Sequence, residues 1–449
     1  MVKKLFVFPI ILSFGFMTSF CAVLSRPDRT DQVVTPNESS LPTEYDPYPV
    51  EDDQFPEPGK SDLHQSNKGD NRLTPDQFIY LGAFRLPPEF DWGARGITYF
   101  PGGNNEKGSL FVTGFEAEPA LVGEVTIPSP VLDPDPLKLP LAEILLVPRS
   151  FDGSIIETEL DPSTTFAGDI EFIPKRGTQQ TDKIYGSVDW WYAVMDFDFP
   201  TIWFSEMDGS NPRGLFHVGE EIPPFHGNRT GDYLFTVPQW YADQYLGGRV
   251  MVTGKSRGTE NGSQGPSLFA FQPWEVEEPQ GDLDSIPILW YRFIYPECAG
   301  PNVGDKNACD YPGFTMCDKW LGGSFVEQGD QKAILLYGVK GLGENGYGPP
   351  PSEDSCNPYQ GYHCDPLERQ IIFYDVDELG QAAQGLRDPW TIVPYQIWRP
   401  GEFYLGDMDG HTCGETGGMA LDTINHRLFI VEKGLGENNS AVVHIWMIN

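Results

Sequence analysis

The sequence predicts an all-β protein, and three observations carry that reading. Turn formers and aromatics are abundant, with 49 Gly and 41 Pro beside 29 Phe, 19 Tyr and 11 Trp in 449 residues, a composition foreign to helical bundles and coiled coils. Short segments of apolar/polar alternation recur along the chain. Helix-forming stretches are scarce: only residues 377–385, with Asp377 as cap and Ala382, Ala383 and Gln384 as formers, read as a short connecting helix. The formal charge of −35, from 65 acidic and 30 basic residues, argues against nucleic acid as a partner, because affinity for a polyphosphate depends on Lys and Arg displacing counterions.

Taken in order, the chain opens with Lys3 and Lys4, an apolar run over 5–17, and small residues around Ser19, Cys21 and Ala22, the layout of a secretory signal peptide spanning 1–25. That run is shorter than the roughly 18–20 residues of a membrane span, and no later segment reaches such a length. A secreted or cell-surface protein, extracellular or periplasmic, is expected. Cys21 is a candidate for lipid modification, although Phe20 stands where that motif wants a small residue; a lipid anchor is the alternative to plain secretion. Residues 26–74 hold seven prolines and eleven acidic against five basic residues, too polar to offset the entropy of ordering, and read as an acidic, Pro-rich disordered linker. Most of the negative charge therefore belongs to the domain expected over 75–449.

Within that domain a degenerate unit recurs. Gly96 opens a strand that is followed by strands over 109–114 and 122–127; Gly168 leads to 183–186 and 201–204; Gly231 leads to 249–254 and 267–271. Gly323 leads to 333–338 and 370–374, and Gly418 leads to 427–431 and 441–446. The five openings are 72, 63, 92 and 95 residues apart, longer than a compact blade of roughly 40–50 residues, so loops must absorb the excess. Repeated antiparallel units entered by a glycine-led strand suit radial repetition around a channel. The reading is a single five-bladed β-propeller, with six or seven blades and a two-sheet sandwich as alternatives. Residues 78–84 precede the first opening without a blade of their own, and the last unit has room for only about three strands. That N-terminal strand is expected to complete the last blade and close the ring. The chain resembles secreted β-propeller proteins through this blade patterning, and neither a WD dipeptide nor a kelch signature is present.

Six cysteines follow Cys21: Cys298, Cys309, Cys317, Cys356, Cys364 and Cys413. An even number in an exported domain, without CxxC or zinc-type Cys/His spacing, predicts three disulfides whose pairing the spacing leaves open.

In a propeller the inner strands converge on the channel, so residues beside each opening glycine meet at one face. These are Arg95, Asp169, Asp232, Trp320 and Glu415. Two carboxylates flanking a glycosidic bond, one protonated and one ionised, suffice for glycoside hydrolysis, with a third to push their pKa values apart. The layout resembles that of five-bladed glycosidases and arabinanases, which use carboxylates from different blades around the channel. What the resemblance implies is a hydrolase-like rim of carboxylates; Trp320, the rim's aromatic by position, is the candidate substrate-binding residue, and ordinary turn chemistry is the alternative for each Gly-Asp pair.

Asp407, Asp409 and Glu415 flank Gly410 in a run whose alternate oxygens suit calcium, without completing an EF-hand loop. His411 in the same run is a candidate general base. Tyr362 and His363 form a second candidate substrate-binding and proton-transfer pair: with Arg369 or Arg95 neutralising a uronate carboxylate, they would suit β-elimination by a polysaccharide lyase. A disulfide-held surface loop is the alternative there. Trp190-Trp191-Tyr192 and Trp240-Tyr241 are expected to fill the wedges between blades. Lys340 and Lys433 each precede an echoing GLGEN turn, expected at equivalent places in two blades. No GxSxG elbow, P-loop or GxGxxG fingerprint occurs. The functional reading is thus an exported propeller acting on polysaccharide, against a non-catalytic propeller binding glycan or protein, and a lyase.

Overall fold

The computed structural model describes residues 71–449, apart from 161–163, 191–198, 220–226, 258–261, 273, 275–281, 295–296, 299–304, 353–354, 356, 358, 407–414 and 436–438. It contains five antiparallel sheets arranged as five blades. Strand β1 (Phe78–Arg85) comes first in the chain and last in the ring. The first blade is β2 (Ile97–Phe100), β3 (Ser109–Thr113), β4 (Leu121–Thr126) and β5 (Ile144–Ser150). The second is β6 (Thr165–Ile173), β7 (Lys183–Trp190), β8 (Ile202–Glu206) and β9 (Arg213–Val218). The third takes β10 (Tyr233–Thr236), β11 (Met251–Gly254), β12 (Leu268–Phe271) and, after the two-residue β13 (Asp282–Leu283) has paired parallel to β9, β14 (Ser285–Leu289). The fourth joins β15 (Lys319–Gln328), β16 (Gln331–Gly341), β19 (Leu367–Tyr374) and β20 (Gln396–Trp398), with a hairpin of β17 (Gly346–Gly348) and β18 (Gly361–His363) inserted. The fifth is β21 (Glu415–Asp422), β22 (Arg427–Leu435) and β23 (Ser440–Ile448), completed by β1.

The expected clasp is present: Phe78 pairs with Ile448 and Arg85 with Val442. Apolar residues are packed between successive blades, where alternate side chains of adjoining sheets meet. Ile97, Leu110, Phe429 and Val443 join the last blade to the first, and Phe111, Ile170 and Trp203 join the first to the second. Trp320, Tyr241 and Phe325 lie in the largest layer, which spans the second to fourth blades. Of the aromatics expected in the wedges, Tyr241 is fully buried against Phe325 and Trp190 packs edge-on to Phe199 beside the layer of the first two blades, whereas Trp240 is exposed; Trp191 and Tyr192 lie outside the described residues.

The opening glycines have a physical reason. A Cβ on Gly96 would stand 2.8 Å from the Asp169 Cα, and one on Gly322 would stand 2.7 Å from the Met419 backbone nitrogen. At Gly96, Gly168, Gly322 and Gly418 the entry of the neighbouring inner strand comes too close for a side chain, whereas a Cβ on Gly231 would meet the Val188 carbonyl of β7 and one on Gly323 the Phe235 ring.

Two disulfides are formed, Cys298–Cys309 and Cys317–Cys364, and disulfides persist in non-reducing compartments. Cys356 and Cys413 lie outside the described residues. The expected short helix is Val376–Ala383, but its cap is Asp375, whose Oδ1 accepts from the backbone nitrogens of Asp377 at 2.9 Å and Glu378 at 3.1 Å. A second helix, Gln239–Tyr245, was not legible in the sequence.

Candidate functional site

At one end of the ring the N-terminal ends of the inner strands meet the C-terminal ends of the second strands. The first carry Arg95, Asp232, Lys319 and Glu415, and the second carry Glu116, Asp189, Lys255, Lys340 and Lys433. Antiparallel pairing explains the convergence: Glu415 faces Lys433 and Lys319 faces Val339, beside Lys340, in their ladders.

Arg95 is the centre of a closed network. Its Nη2 donates to Asp189 Oδ2 at 2.6 Å and to Asp232 Oδ1 at 3.3 Å, joining three blades. Lys255 Nζ donates to the other Asp189 oxygen at 2.6 Å. Asp232 Oδ2 accepts from the Ser256 backbone nitrogen at 2.8 Å and from its hydroxyl. Burial pushes the Asp189 carboxyl up, and the Lys255 and Arg95 charges together outweigh it, holding it well below the ordinary carboxylate range. Asp232 goes the other way, raised by burial and by the Asp189 charge. Two neighbouring carboxyls are thereby driven apart in acidity.

A second group lies beside it. Lys433 Nζ donates to Glu116 Oε2 at 2.8 Å and stands 3.9 Å from Glu415 Oε2. Burial opposes ionisation of Glu116, but Lys433, Lys319 and Arg95 bring its pKa down to about 2. Lys340 Nζ is taken up by both oxygens of the buried Asp318, at 2.8 and 2.9 Å.

Two cations in this group have no carboxylate partner among the described residues. The Lys319 side chain is exposed to solvent yet crowded by protein; burial and then the Arg95 charge push its ammonium below the usual lysine value. Arg257 lies 5.9 Å from the Tyr362 ring centroid, and burial lowers its pKa despite the charges of Asp232 and Asp318.

Of the residues expected here, Arg95 and Asp232 come together, and Glu415 stands close to Lys433. Asp169 does not join them. Its Oδ1 accepts from the nitrogens of Ile97 at 3.1 Å and Ile170 at 2.9 Å, and its Oδ2 from Leu234 at 3.3 Å, so it clips three inner strands together. Burial raises its pKa well above the ordinary value. Trp320 is fully buried in the interblade core. Tyr362 reaches Arg257, whereas His363 is held by Ser355 Oγ at 3.0 Å and the Gly348 carbonyl at 3.0 Å. Arg369 lies apart, 3.0 Å from Glu432. Asp407, Asp409 and His411 lie outside the described residues.

Sequence reasoning missed Asp189, Lys255, Arg257, Lys319 and Glu116. A signal was available in the GLGEN echo, since Lys340 and Lys433 end equivalent second strands and Lys255 ends the corresponding strand of the third blade. The mouth so assembled offers an anion the ammonium of Lys319 and, beside the Tyr362 ring, the guanidinium of Arg257. No protein-family model matches the sequence, and no curated protein matches it, so fold and site chemistry carry the functional reading.

Proposed function

We propose that the protein is an exported propeller that captures an acidic polysaccharide at the mouth of its channel. The observation that carries this is that two cations of the mouth, Arg257 and Lys319, have no carboxylate partner among the described residues, in a chain of 30 basic and 65 acidic residues. An incoming carboxylate or sulfate would give each of them a charge-assisted partner. Tyr362 beside Arg257 offers a face for a sugar ring. Disulfides and the N-terminal leader agree with export.

Titration of the full chain with polygalacturonate, against neutral starch, tests the proposal. Saturable binding of the polyuronate alone is expected, weakened at least tenfold in Lys319→Ala/Arg257→Ala. Equal binding of starch, or an unaffected double variant, removes it.

A second reading, cleavage of the glycosidic bond, is favoured by the opposed acidities of Asp232 and Asp189. Both contact one Arg95 nitrogen, which limits their separation to about 6 Å, compatible with the carboxyl spacing of a retaining hydrolase. New reducing ends that disappear in Asp232→Asn and Asp189→Asn would establish hydrolysis. Unsaturated products lost in Tyr362→Phe would establish elimination instead.

A further inference from the structure

The C-terminal ends of the inner strands, at the opposite end of the ring, surround a cavity of about 350 Å³. All five blades contribute to it, through Thr98, Glu171, Thr236, Ser324 and Ala420 on β2, β6, β10, β15 and β21. Its chemistry is the reverse of the mouth. Among the described residues Glu171 is the sole charged one in the lining, and Pro101, Pro238, Leu421 and Ile424 bring apolar surface.

The carboxylate is held in place. Thr98 Oγ1 accepts from the Phe172 backbone nitrogen at 3.0 Å, which turns its single proton toward Glu171 Oε2 at 2.9 Å. Thr236 donates its hydroxyl to Glu171 Oε1 at 2.9 Å, and its backbone nitrogen also bonds the carboxyl. Three of about four acceptor sites are filled, leaving room for one further donor. Among the described residues no cation in the lining offsets the charge.

We propose that this axial cavity is a binding site for an organic ammonium ion carrying an apolar body. The ammonium donates to the remaining Glu171 acceptor site, and the apolar portion lies against Pro101, Pro238, Leu421 and Ile424 of the lining. A volume of this size falls in the range of small-molecule pockets. Burial raises the Glu171 pKa to about 7, so protons compete with the ligand just below neutrality.

Calorimetric titration of the full chain with benzylammonium chloride, benzyl alcohol and sodium benzoate tests this. At pH 8 benzylammonium alone should bind saturably, and its affinity should fall about tenfold by pH 6, as the ionised fraction of a group titrating near 7 falls. Glu171→Gln should abolish binding, while Lys319→Ala/Arg257→Ala should leave it unchanged. Should Glu171→Gln fail to fold, the pH dependence of the unaltered protein decides. Benzyl alcohol binding as tightly as benzylammonium, pH-independent affinity, or no binding at 10 mM (a concentration of about 10 mM covers weak, fragment-level affinity) would overturn the proposal.

Discussion

Lys433 in the last blade holds Glu116 in the first, with Nζ 2.8 Å from Oε2, so an ion pair lies across the seam at which the ring closes. Glu116 titrates at about 2 instead of 4.5. Its ionised form is favoured by folding, and that stabilisation is complete above about pH 4.5 and lost as pH falls toward 2. Solvent reaches the pair, which reduces the effect to about 1–2 kcal/mol. Glu116→Gln should therefore lower stability to urea at pH 7 by that amount and by progressively less toward pH 3. A constant difference would mean that the pair does not set the acidity.

Glu171 should show the opposite slope. With a folded pKa of about 7 against 4.5, the folded chain keeps a proton that the unfolded chain releases between those values. Its contribution to stability thus falls as pH rises from about 4.5 to 7, by about 3 kcal/mol at most. Glu171→Gln should gain on the parent across that window, read from urea midpoints at pH 4.5 and 7.5.

Removing residues through Arg85 should abolish cooperative unfolding. Ala83 and Phe84 are fully buried in the closing blade, and Phe78 and Arg85 delimit its paired edge; without β1, the edge of β23 loses every partner on that side. Removal of 26–70 should leave the melting curve nearly unchanged. Similar curves for the two truncations would refute the clasp's role.

Reducing the chain's cross-links should affect the mouth as well as stability. Cys317 and Cys364 are 47 residues apart, and closing a loop of that length restricts the unfolded chain by about 4 kcal/mol. Cys317→Ala/Cys364→Ala should lose stability of that order. Because Cys364 follows Tyr362 by two residues, polygalacturonate affinity should fall in the same variant under conditions where it remains folded, as monitored by near-UV circular dichroism.

The first three strands of each blade were legible because their apolar runs are largely buried; β11 and β12, for example, have every residue buried. Outer strands were not. In β5 exposed and half-buried positions alternate and Pro148 interrupts the run, while β14 contains Pro287; pairing at a blade edge demands little of the sequence. The site was legible in part. Taking the residues beside the opening glycines led to Arg95 and Asp232, but a register shift between Trp320 and Gly322 and another between Ala167 and Ile170 disturb the alternation. One residue of slip exchanges faces, so Lys319 faces the mouth while Trp320 enters the core. Asp189 and Lys255 come from second strands, where nothing in the local pattern distinguishes a mouth residue from a turn.

The pairing of Phe78 with Ile448 has a consequence for biogenesis. A ribosome makes β1 about 360 residues before its partner strand exists, an interval of tens of seconds at ordinary rates of synthesis. Throughout that time Phe78, Ala83 and Phe84 have no native neighbour strand, and each completed blade can only stack on its predecessor as an open arc. Closure is the final event, so the newborn chain is most exposed to aggregation and proteolysis at its first strand.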